Sequence, residues 1–226
     1  MNNNIDIKLE SWQEVRDWLD ASGLRIPGSY LDRVNKRIYP VDAFSLGQLA
    51  SKAWLMQHLY QVVPLKPNAT VALLGCWIGA LVPFIHNALT VERIYGFDVD
   101  SESVALSERF NEQYVQDSWK YKGVVADVSI QSSSDMQFET GGELIQVTPD
   151  WLINTSCEHM NNNWFRTANS EQLIIMQSNN SEQFDGHINT CTDIEHFRYK
   201  YPMSKLHYAG SLTTPAYTRF MQIGYK

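Results

Sequence analysis

Two glycines in the segment VALLGCWIGALVPF, residues 71–84, could bring the backbone close to a bound ligand. Gly75 and Gly79 follow an apolar run that predicts a buried strand, and a helix is predicted after them. Glycine at such a turn permits a close approach that a Cβ atom would block. A strand, a glycine turn and a helix commonly hold a nucleotide-type cofactor, although the loop alone is a weak signal. Trp77 stands where a third glycine would be expected.

Acidic residues end the next two predicted strands. Asp98 ends RIYGFD about 20 residues beyond the glycine turn, and Asp127 follows GVVA. At Asp98 a carboxylate can accept hydrogen bonds from both hydroxyls of a ribose. Its distance in sequence from the glycine turn is that of the acid in dinucleotide-binding sites. Taken singly, each acid is also an ordinary turn residue or helix N-cap, and Asp100 could fill the capping role.

The segment DWLINTSCEHM, residues 150–160, predicts a buried strand that leads directly into an acid and a histidine. His159 is the best candidate for a general base, with Glu158 placed to orient it or to contact a substrate. A solvated histidine at a helix start is the structural alternative. His187 and His207 are weaker candidates, because neither lies at a predicted strand end. No histidine or cysteine pair has metal-ligand spacing, so no metal site is expected.

A sheet is needed to bring these strand ends together. Helices alternate with five predicted strands, at residues 70–75, 93–99, 123–128, 150–156 and 171–178. Parallel strands joined by right-handed crossovers share one carboxyl edge, where ligands bind. Residues 137–147 predict a hairpin around Gly141–Gly142, and 205–226 predict two antiparallel strands. The fold class is therefore α/β, a doubly wound, mostly parallel sheet with a C-terminal antiparallel strand pair.

The first third of the chain predicts helices, at residues 11–24, 29–38 and 43–63. Ser11 is a suitable N-cap with Glu14 completing a capping box. We expect residues 1–67 to be a helical N-terminal cap or extension and residues 68–226 to be the cofactor-binding domain.

Composition narrows the function classes. The chain has 226 residues, of which 44% are hydrophobic and 12% aromatic, enough for a sizeable core. A net charge of −7 without basic runs disfavours nucleic acid as the partner. Three widely spaced cysteines form neither a disulfide framework nor a zinc pattern, and no apolar run is long enough to span a membrane. We expect a cytoplasmic protein with no membrane partner. A homodimer is compatible with the sequence.

The strand ends LLGCWIG, GFDVD, VADVS and INTSCEHM resemble, in order and spacing, those of the class I S-adenosylmethionine-dependent methyltransferases. The resemblance covers residues 68–226 and implies a Rossmann-like methyltransferase fold. It implies S-adenosyl-L-methionine as cofactor and S-adenosyl-L-homocysteine as product. The implied cofactor-binding residues are Gly75, Cys76, Trp77 and Gly79 in the loop, Asp98 at the ribose, Val99, Asp127 and Val128 at the adenine, and Asn154 and Thr155 at the amino-acid end.

The same resemblance implies a reaction centre after the fourth strand. The catalytic candidates are His159, Glu158 and Asn154, and the substrate-binding candidates are Ser156, Trp164, Gln177, Ser178 and Tyr30. NTSC stands where the adenine-N6 DNA methyltransferases carry NPP[YF]. We therefore expect a methyltransferase that acts on a small-molecule acceptor.

Two departures from the pattern leave alternatives open. Leu73 replaces an acid that often precedes the first glycine, and Trp77 replaces a glycine. The indole would either contact the sulfonium, for about 1 kcal/mol of cation–π attraction, or pack under the N-terminal helices. One alternative function is an enzyme of the same fold that cyclises or cleaves the cofactor. The other is a non-catalytic binding or scaffold protein with a decayed loop.

Overall fold

An eight-stranded sheet runs through the residues that the computed structural model describes, which are 4–23, 39–62 and 66–226. In spatial order its strands are β1 (Asn4–Lys8), β9 (Lys205–Thr213), β10 (Thr218–Tyr225), β8 (Leu173–Asn179), β7 (Trp151–Asn154), β2 (Ala69–Leu74), β3 (Val91–Asp98) and β4 (Tyr121–Val125). Only β10 is antiparallel to its neighbours β8 and β9; the other pairs are parallel. The predicted α/β sheet with a C-terminal antiparallel strand pair is confirmed.

The parallel register sets which strand ends meet. Leu74 pairs with Phe97 on one side and with Asn154 on the other. The residues that follow these three positions therefore leave the sheet at the same level of its carboxyl edge. These central strands are almost continuous apolar runs because helices cover both of their faces.

Helices and apolar side chains cover both faces of the sheet. The described helices are α1 (Trp12–Ala21), α2 (Leu46–Val62), α3 (Val82–Ala88), α4 (Ser101–Phe110), α5 (Glu112–Gln116), α6 (Asn163–Thr167) and α7 (Ile194–Lys200). Short 3-10 turns lie at Val41–Phe44 and Cys157–His159. The buried apolar side chains form two clusters that share no residue: one includes Trp54 of α2 and the other includes Trp164 of α6. None of the helices in the described ranges is long and apolar enough to cross a bilayer.

The N-terminal segment differs from its predicted all-helical character. Strand β1, which the sequence did not predict, adds to the sheet edge in parallel with β9. Asp6 of this strand accepts a hydrogen bond from Ser211 Oγ at 2.6 Å. A five-residue strand in a polar N-terminal stretch carries too little periodicity to be recognised alone. The predicted helix at 29–38 lies outside the described residues.

The first helix begins nearly as predicted. The Glu14 amide donates to Ser11 Oγ at 3.2 Å, so Ser11 is the N-cap of α1. The Glu14 carboxylate accepts from the Glu10 amide at 2.8 Å rather than from the cap residue itself. The reciprocal half of the capping box is therefore displaced by one residue.

The hairpin predicted around two glycines is present, as β5 (Met136–Thr140) and β6 (Glu143–Val147). Gly141 and Gly142 both have positive φ, of 59° and 82°. A two-residue loop with two left-handed residues matches the twist of the strands that it joins.

One predicted helix is broken at Asn111. Residues 101–115 were predicted to be one helix, but α4 ends at Phe110 and α5 begins at Glu112. The buried Asn111 amide donates to the carbonyls of Gly79, at 3.1 Å, and of Ser107, at 2.9 Å. Asn111 thereby joins the glycine loop to the helix that follows β3.

Gly79 is required by this contact. Its φ is 65°, and a Cβ atom would lie 2.6 Å from Asn111 Nδ2 and 3.2 Å from the Tyr121 hydroxyl. Gly141 has a similar φ of 59°, but a Cβ atom there would meet nothing within 4 Å. The two glycines differ in packing and share the same backbone strain.

We predict that Gly79→Ala lowers the free energy of unfolding by about 3 kcal/mol, from left-handed strain and overpacking together. The control Gly141→Ala should cost only about 1 kcal/mol, because strain acts there without a clash. Urea unfolding followed by circular dichroism measures both. Equal losses for the two variants would show that the Asn111 side chain moves aside without lowering the free energy of unfolding, and would contradict the overpacking at Gly79.

Candidate active site

A cavity of about 660 Å³ lies at the carboxyl edge of the sheet. Its walls come from the loops after β2, β3, β4, β7 and β8, and from three side chains of the N-terminal segment, Asp42, Gln48 and Lys52. The volume falls within the range of small-molecule and cofactor pockets, about 300–1,000 Å³.

Most of the predicted site residues line this cavity. They are Gly75, Cys76, Trp77, Asp98, Val99, Asp127, Val128, Thr155, Ser156, Glu158 and His159. Their convergence follows from the shared register of β7, β2 and β3.

The loop after β2 keeps a glycine-type backbone at a tryptophan. Trp77 has a φ of 48°, in the same left-handed region as Gly75 at 61° and Gly79 at 65°. For a residue with a Cβ atom this conformation costs roughly 1–2 kcal/mol. The Trp77 amide donates to Asp98 Oδ2 at 2.8 Å, a charge-assisted hydrogen bond that offsets the strain. The loop is thus a modified glycine loop and retains its shape.

Gly75 is required by the loop that follows β7. A Cβ atom at Gly75 would lie 3.0 Å from Met160 Cε and 3.1 Å from Ser156 Cβ. The Ser156 hydroxyl also donates to the Gly75 carbonyl at 3.3 Å. The two loops that border the centre of the cavity therefore pack directly against each other.

The Trp77 indole has both of the environments considered from the sequence. It is partly buried against the apolar cluster that includes the N-terminal helices, and it also borders the cavity. Leu73 lines the cavity at the position where an acid was expected, with only 2% of its surface exposed.

Asp98 and Asp100 have separate roles. Besides the Trp77 amide, Asp98 accepts a hydrogen bond from the Asp100 amide, at 3.1 Å on Oδ1. Asp100 caps α4 by accepting from the amides of Glu102 and Ser103, each at 3.1 Å. Each Asp98 oxygen keeps a further lone pair for a ligand in the cavity.

The loops after β3 and β4 bring Val99, Asp127 and Val128 to the cavity wall. Val99 is 67% exposed, whereas Val128 is 5% exposed and presents little surface. Asp127 Oδ1 accepts from the Ser129 amide at 2.8 Å, which fixes this turn.

Cys76 lines the cavity as a thiol. Burial, together with the nearby Asp98 carboxylate, raises the pKa of Cys76 to about 12. A neutral thiol is a poor nucleophile, so Cys76 contributes shape and apolar surface.

Three titratable groups meet in the cavity wall, on the loops after β7 and β8. Glu158 is 3% exposed, and its Oε1 accepts from Asn179 Nδ2 at 2.5 Å. The rings of His159 and His187 make an edge-to-face contact, with centroids 4.5 Å apart. Partial burial lowers the pKa of His159 below its ordinary value, against the opposing effect of Glu158. A neutral His159 can accept a proton, as a general base must.

Two cations that sequence reasoning missed also line the cavity. The buried Arg219 donates to the Thr155 carbonyl and to the Tyr217 hydroxyl, each at 3.2 Å. Lys52 donates to the side chain of Gln48 at 3.1 Å. Burial, followed by the charge of Arg219, lowers the pKa of Lys52 to about 7. The signal for Arg219 was a lone charged residue in the apolar strand TRFMQIGY.

Two predicted substrate residues lie in the core. Trp164 is fully buried and packs with Phe165 and Tyr201. Gln177 is also fully buried; it accepts from Ser51 Oγ at 2.6 Å and so ties α2 to the sheet. Neither side chain lines the cavity, so the structure does not bring these two candidates to the site.

Three further candidates lie behind the cavity wall. Ser178 is buried within β8, and of the polar run MQSNN it is Asn179 that reaches the cavity. Asn154 is buried and shapes the turn after β7, because its Oδ1 accepts from the Ser156 amide at 2.9 Å. Gly79 packs against α4 and not against the cavity. Tyr30 lies outside the described residues.

Comparisons with known proteins find similarity in structure alone. The sequence matches no protein-family model and no curated protein. Magnesium protoporphyrin IX methyltransferase from Synechocystis PCC 6803, with bound SAH, matches with a TM-score of 0.58 at 14% identity, over 95% of this chain and 99% of that one.

Two N-methyltransferases are also similar. Coclaurine N-methyltransferase, bound to N-methylheliamine and SAH, has a TM-score of 0.52 at 15% identity and covers 88% of this chain and 65% of its own. NodS from Bradyrhizobium japonicum WM9 has a TM-score of 0.54 at 9% identity, over 78% and 96% of the two chains. The strand order, the carboxyl-edge cavity and these matches lead to one conclusion: the chain has the Rossmann-like fold of the class I S-adenosylmethionine-dependent methyltransferases.

Proposed function

We propose that this protein is an S-adenosylmethionine-dependent methyltransferase that acts on a small-molecule acceptor. The observation that carries the proposal is the meeting of Gly75, Asp98 and Thr155 at one edge of the sheet, around one cavity. Two of the similar structures contain SAH, the product that such a reaction leaves.

The residues of the loops after β2, β3 and β4 suit the cofactor. Asp98 retains acceptor capacity for the ribose hydroxyls, and Val99 and Val128 add apolar surface for the adenine ring. Leu73 supplies no acid for the cofactor's amino group, but Asp42 lines the same cavity and offers a carboxylate there. When bound, the cofactor supplies a methyl group activated by a positively charged sulfur.

The opposite end of the cavity suits an acceptor. His159 is placed to take a proton from an attacking amine or hydroxyl, since its lowered pKa keeps the ring neutral near pH 7. Arg219 and Lys52 add donors for polar groups of the acceptor. Holding the two reactants in line and away from water is most of what this reaction needs from the walls.

A small molecule suits this site better than a nucleic acid. The chain carries a net charge of −7, which opposes binding to a phosphate backbone. Transfer of a radiolabelled methyl group tests the proposal: purified protein is incubated with labelled cofactor and separate small-molecule, RNA and protein fractions. Label in a small molecule other than the cofactor supports it, and transfer of label to RNA or protein alone contradicts it.

We predict that Asp98→Ala raises the Kd for S-adenosylhomocysteine by well over tenfold, because charge-assisted hydrogen bonds to the ribose are lost. Isothermal titration calorimetry measures the change. The matched control is Asp100→Ala, two residues away, which removes a helix cap worth about 1 kcal/mol without touching the cavity. Its affinity should stay within about threefold of wild type, by the size of ordinary indirect effects. Equal affinities for both variants would place the ribose elsewhere.

A second prediction concerns Trp77. If its ring faces the sulfonium, Trp77→Gly should weaken S-adenosylmethionine about fivefold, for about 1 kcal/mol of cation–π energy. Neutral S-adenosylhomocysteine should be affected much less. Glycine accepts the left-handed backbone, so the loop keeps its shape. Trp77→Phe is the control that keeps an aromatic face and should preserve the ratio of the two affinities. The same loss for both ligands would mean that the indole serves packing only.

A third prediction separates methyl transfer from other uses of the cofactor. Protein incubated with S-adenosylmethionine and no acceptor should leave it intact, as judged by liquid chromatography. Accumulation of methylthioadenosine would identify an enzyme that cleaves or cyclises the cofactor. If neither S-adenosylmethionine nor its product binds the folded protein, the enzyme proposal fails altogether.

A further inference from the structure

We propose that Glu158, His159 and His187 bind a divalent transition-metal ion at the acceptor end of the cavity. One ligand atom from each residue lies within 4.8 Å of the others, and all three residues line the cavity. Metal–ligand bonds of about 2.0–2.2 Å place ligand atoms about 3.4 Å apart, so binding needs side-chain shifts of about 1 Å. The backbone is already in place.

The Glu158 carboxylate has an unused oxygen. Asn179 donates to Oε1, but Oε2 has no hydrogen-bond partner among the described residues, although Glu158 is only 3% exposed. The buried Arg219 interacts electrostatically with Glu158 but donates its hydrogen bonds to Thr155 and Tyr217 instead, and buried carboxylates are normally hydrogen-bonded to a charged partner or bound to a metal. If His159 and His187 were present only to pair with Glu158, one of them would donate to Oε2, and neither does. The geometry leaves this oxygen free as a ligand.

His187 is held with a ring nitrogen free. Its Nδ1 lies 2.6 Å from the Ser181 carbonyl oxygen. A carbonyl only accepts, so Nδ1 carries the proton and Nε2 keeps its lone pair. A histidine ligand that donates its other nitrogen to a carbonyl is the usual arrangement around protein-bound metals.

Backbone hydrogen bonds fix the loop that carries His187 beside the turn that carries Glu158 and His159. The amides of Ile188 and Asn189 both donate to the Glu158 carbonyl, at 2.9 and 3.0 Å. The loop is thus held at two residues directly after His187, so the backbone of the three ligand residues keeps its arrangement without a metal.

The ligand set selects the class of ion. Two imidazoles and one carboxylate suit Zn²⁺, Fe²⁺, Co²⁺ or Mn²⁺, whereas Mg²⁺ and Ca²⁺ prefer oxygen ligands throughout. Three protein ligands leave at least one coordination position open. If the proposed methyltransferase function holds, that position would bind a hydroxyl or other polar atom of the acceptor. A metal-bound His159 cannot act as the base, so the metal would instead lower the pKa of the bound acceptor group. The metal site itself does not depend on the proposed function.

The test is isothermal titration calorimetry of the metal-free full chain with ZnCl₂ and CoCl₂, with MgCl₂ for comparison. We expect one Zn²⁺ per chain and weaker or undetectable Mg²⁺ binding. Glu158→Gln, which keeps the size of the side chain and an oxygen for Asn179, should weaken Zn²⁺ binding by about tenfold or more. His187→Gln should do the same and serves as a second variant if the first is unstable. His196→Gln, at a histidine of α7 away from the cavity, is the control and should bind Zn²⁺ like wild type.

Binding of S-adenosylhomocysteine is measured on the same samples. If S-adenosylhomocysteine binds normally but Zn²⁺, Co²⁺ and Mn²⁺ do not bind at millimolar concentrations, the metal site is overturned. The proposed function then still stands. Zn²⁺ binding that Glu158→Gln and His187→Gln leave unchanged also overturns it, because the ion then lies elsewhere. Zn²⁺ binding that depends on both residues supports the site, even if S-adenosylhomocysteine fails to bind.

Discussion

The parallel pairing of β2 with β3 and β7 is the constraint on which the site depends. Because Leu74 pairs with both Phe97 and Asn154, the three strands end at one level. Gly75 and Asp98, which come from separate strand–helix units, become neighbours only through this register. A shift of one residue in either pairing would turn the strand-end side chains to the opposite face.

The same register places the Asp98 carboxylate beside the loop after β2. By accepting from the Trp77 amide it supports a left-handed backbone that tryptophan rarely adopts. Gly75 and Gly79 have the same left-handed backbone conformation on either side of Trp77. Their missing Cβ atoms leave room for neighbouring residues, which are Met160 and Ser156 at Gly75 and Asn111 at Gly79. A loop without its middle glycine can therefore keep the shape of a glycine loop, provided that a carboxylate stabilises it.

Two parts of the cavity wall are built by different means. The wall at Asp98 relies on backbone turns that follow directly from the strands. The wall after β7 is assembled from long-range partners: Glu158 is held by Asn179 of β8, and Arg219 of β10 reaches the Thr155 carbonyl. Its balance of buried charge therefore depends on how the C-terminal strands insert beside β8, and small changes in that packing would alter the acceptor end first.

Local sequence patterns determined the order of strands and helices, the antiparallel C-terminal pair, the hairpin turn and the strand-end residues near Asp98. Those features depend on apolar periodicity and on glycine and capping positions, which are local properties. Only the tertiary structure decided which side chains face the cavity. In strands buried on both faces, hydrophobic alternation gives no direction, so Gln177 of β8 was assigned to the site although it lies in the core. Trp164 lies in the short helix α6, where five residues give too little periodicity to show which face is buried. The presence of Lys52 and Arg219 in the cavity wall, and the proximity of His187 to Glu158, depend on contacts between segments that are distant in the chain. Spacing along the sequence does not predict such contacts.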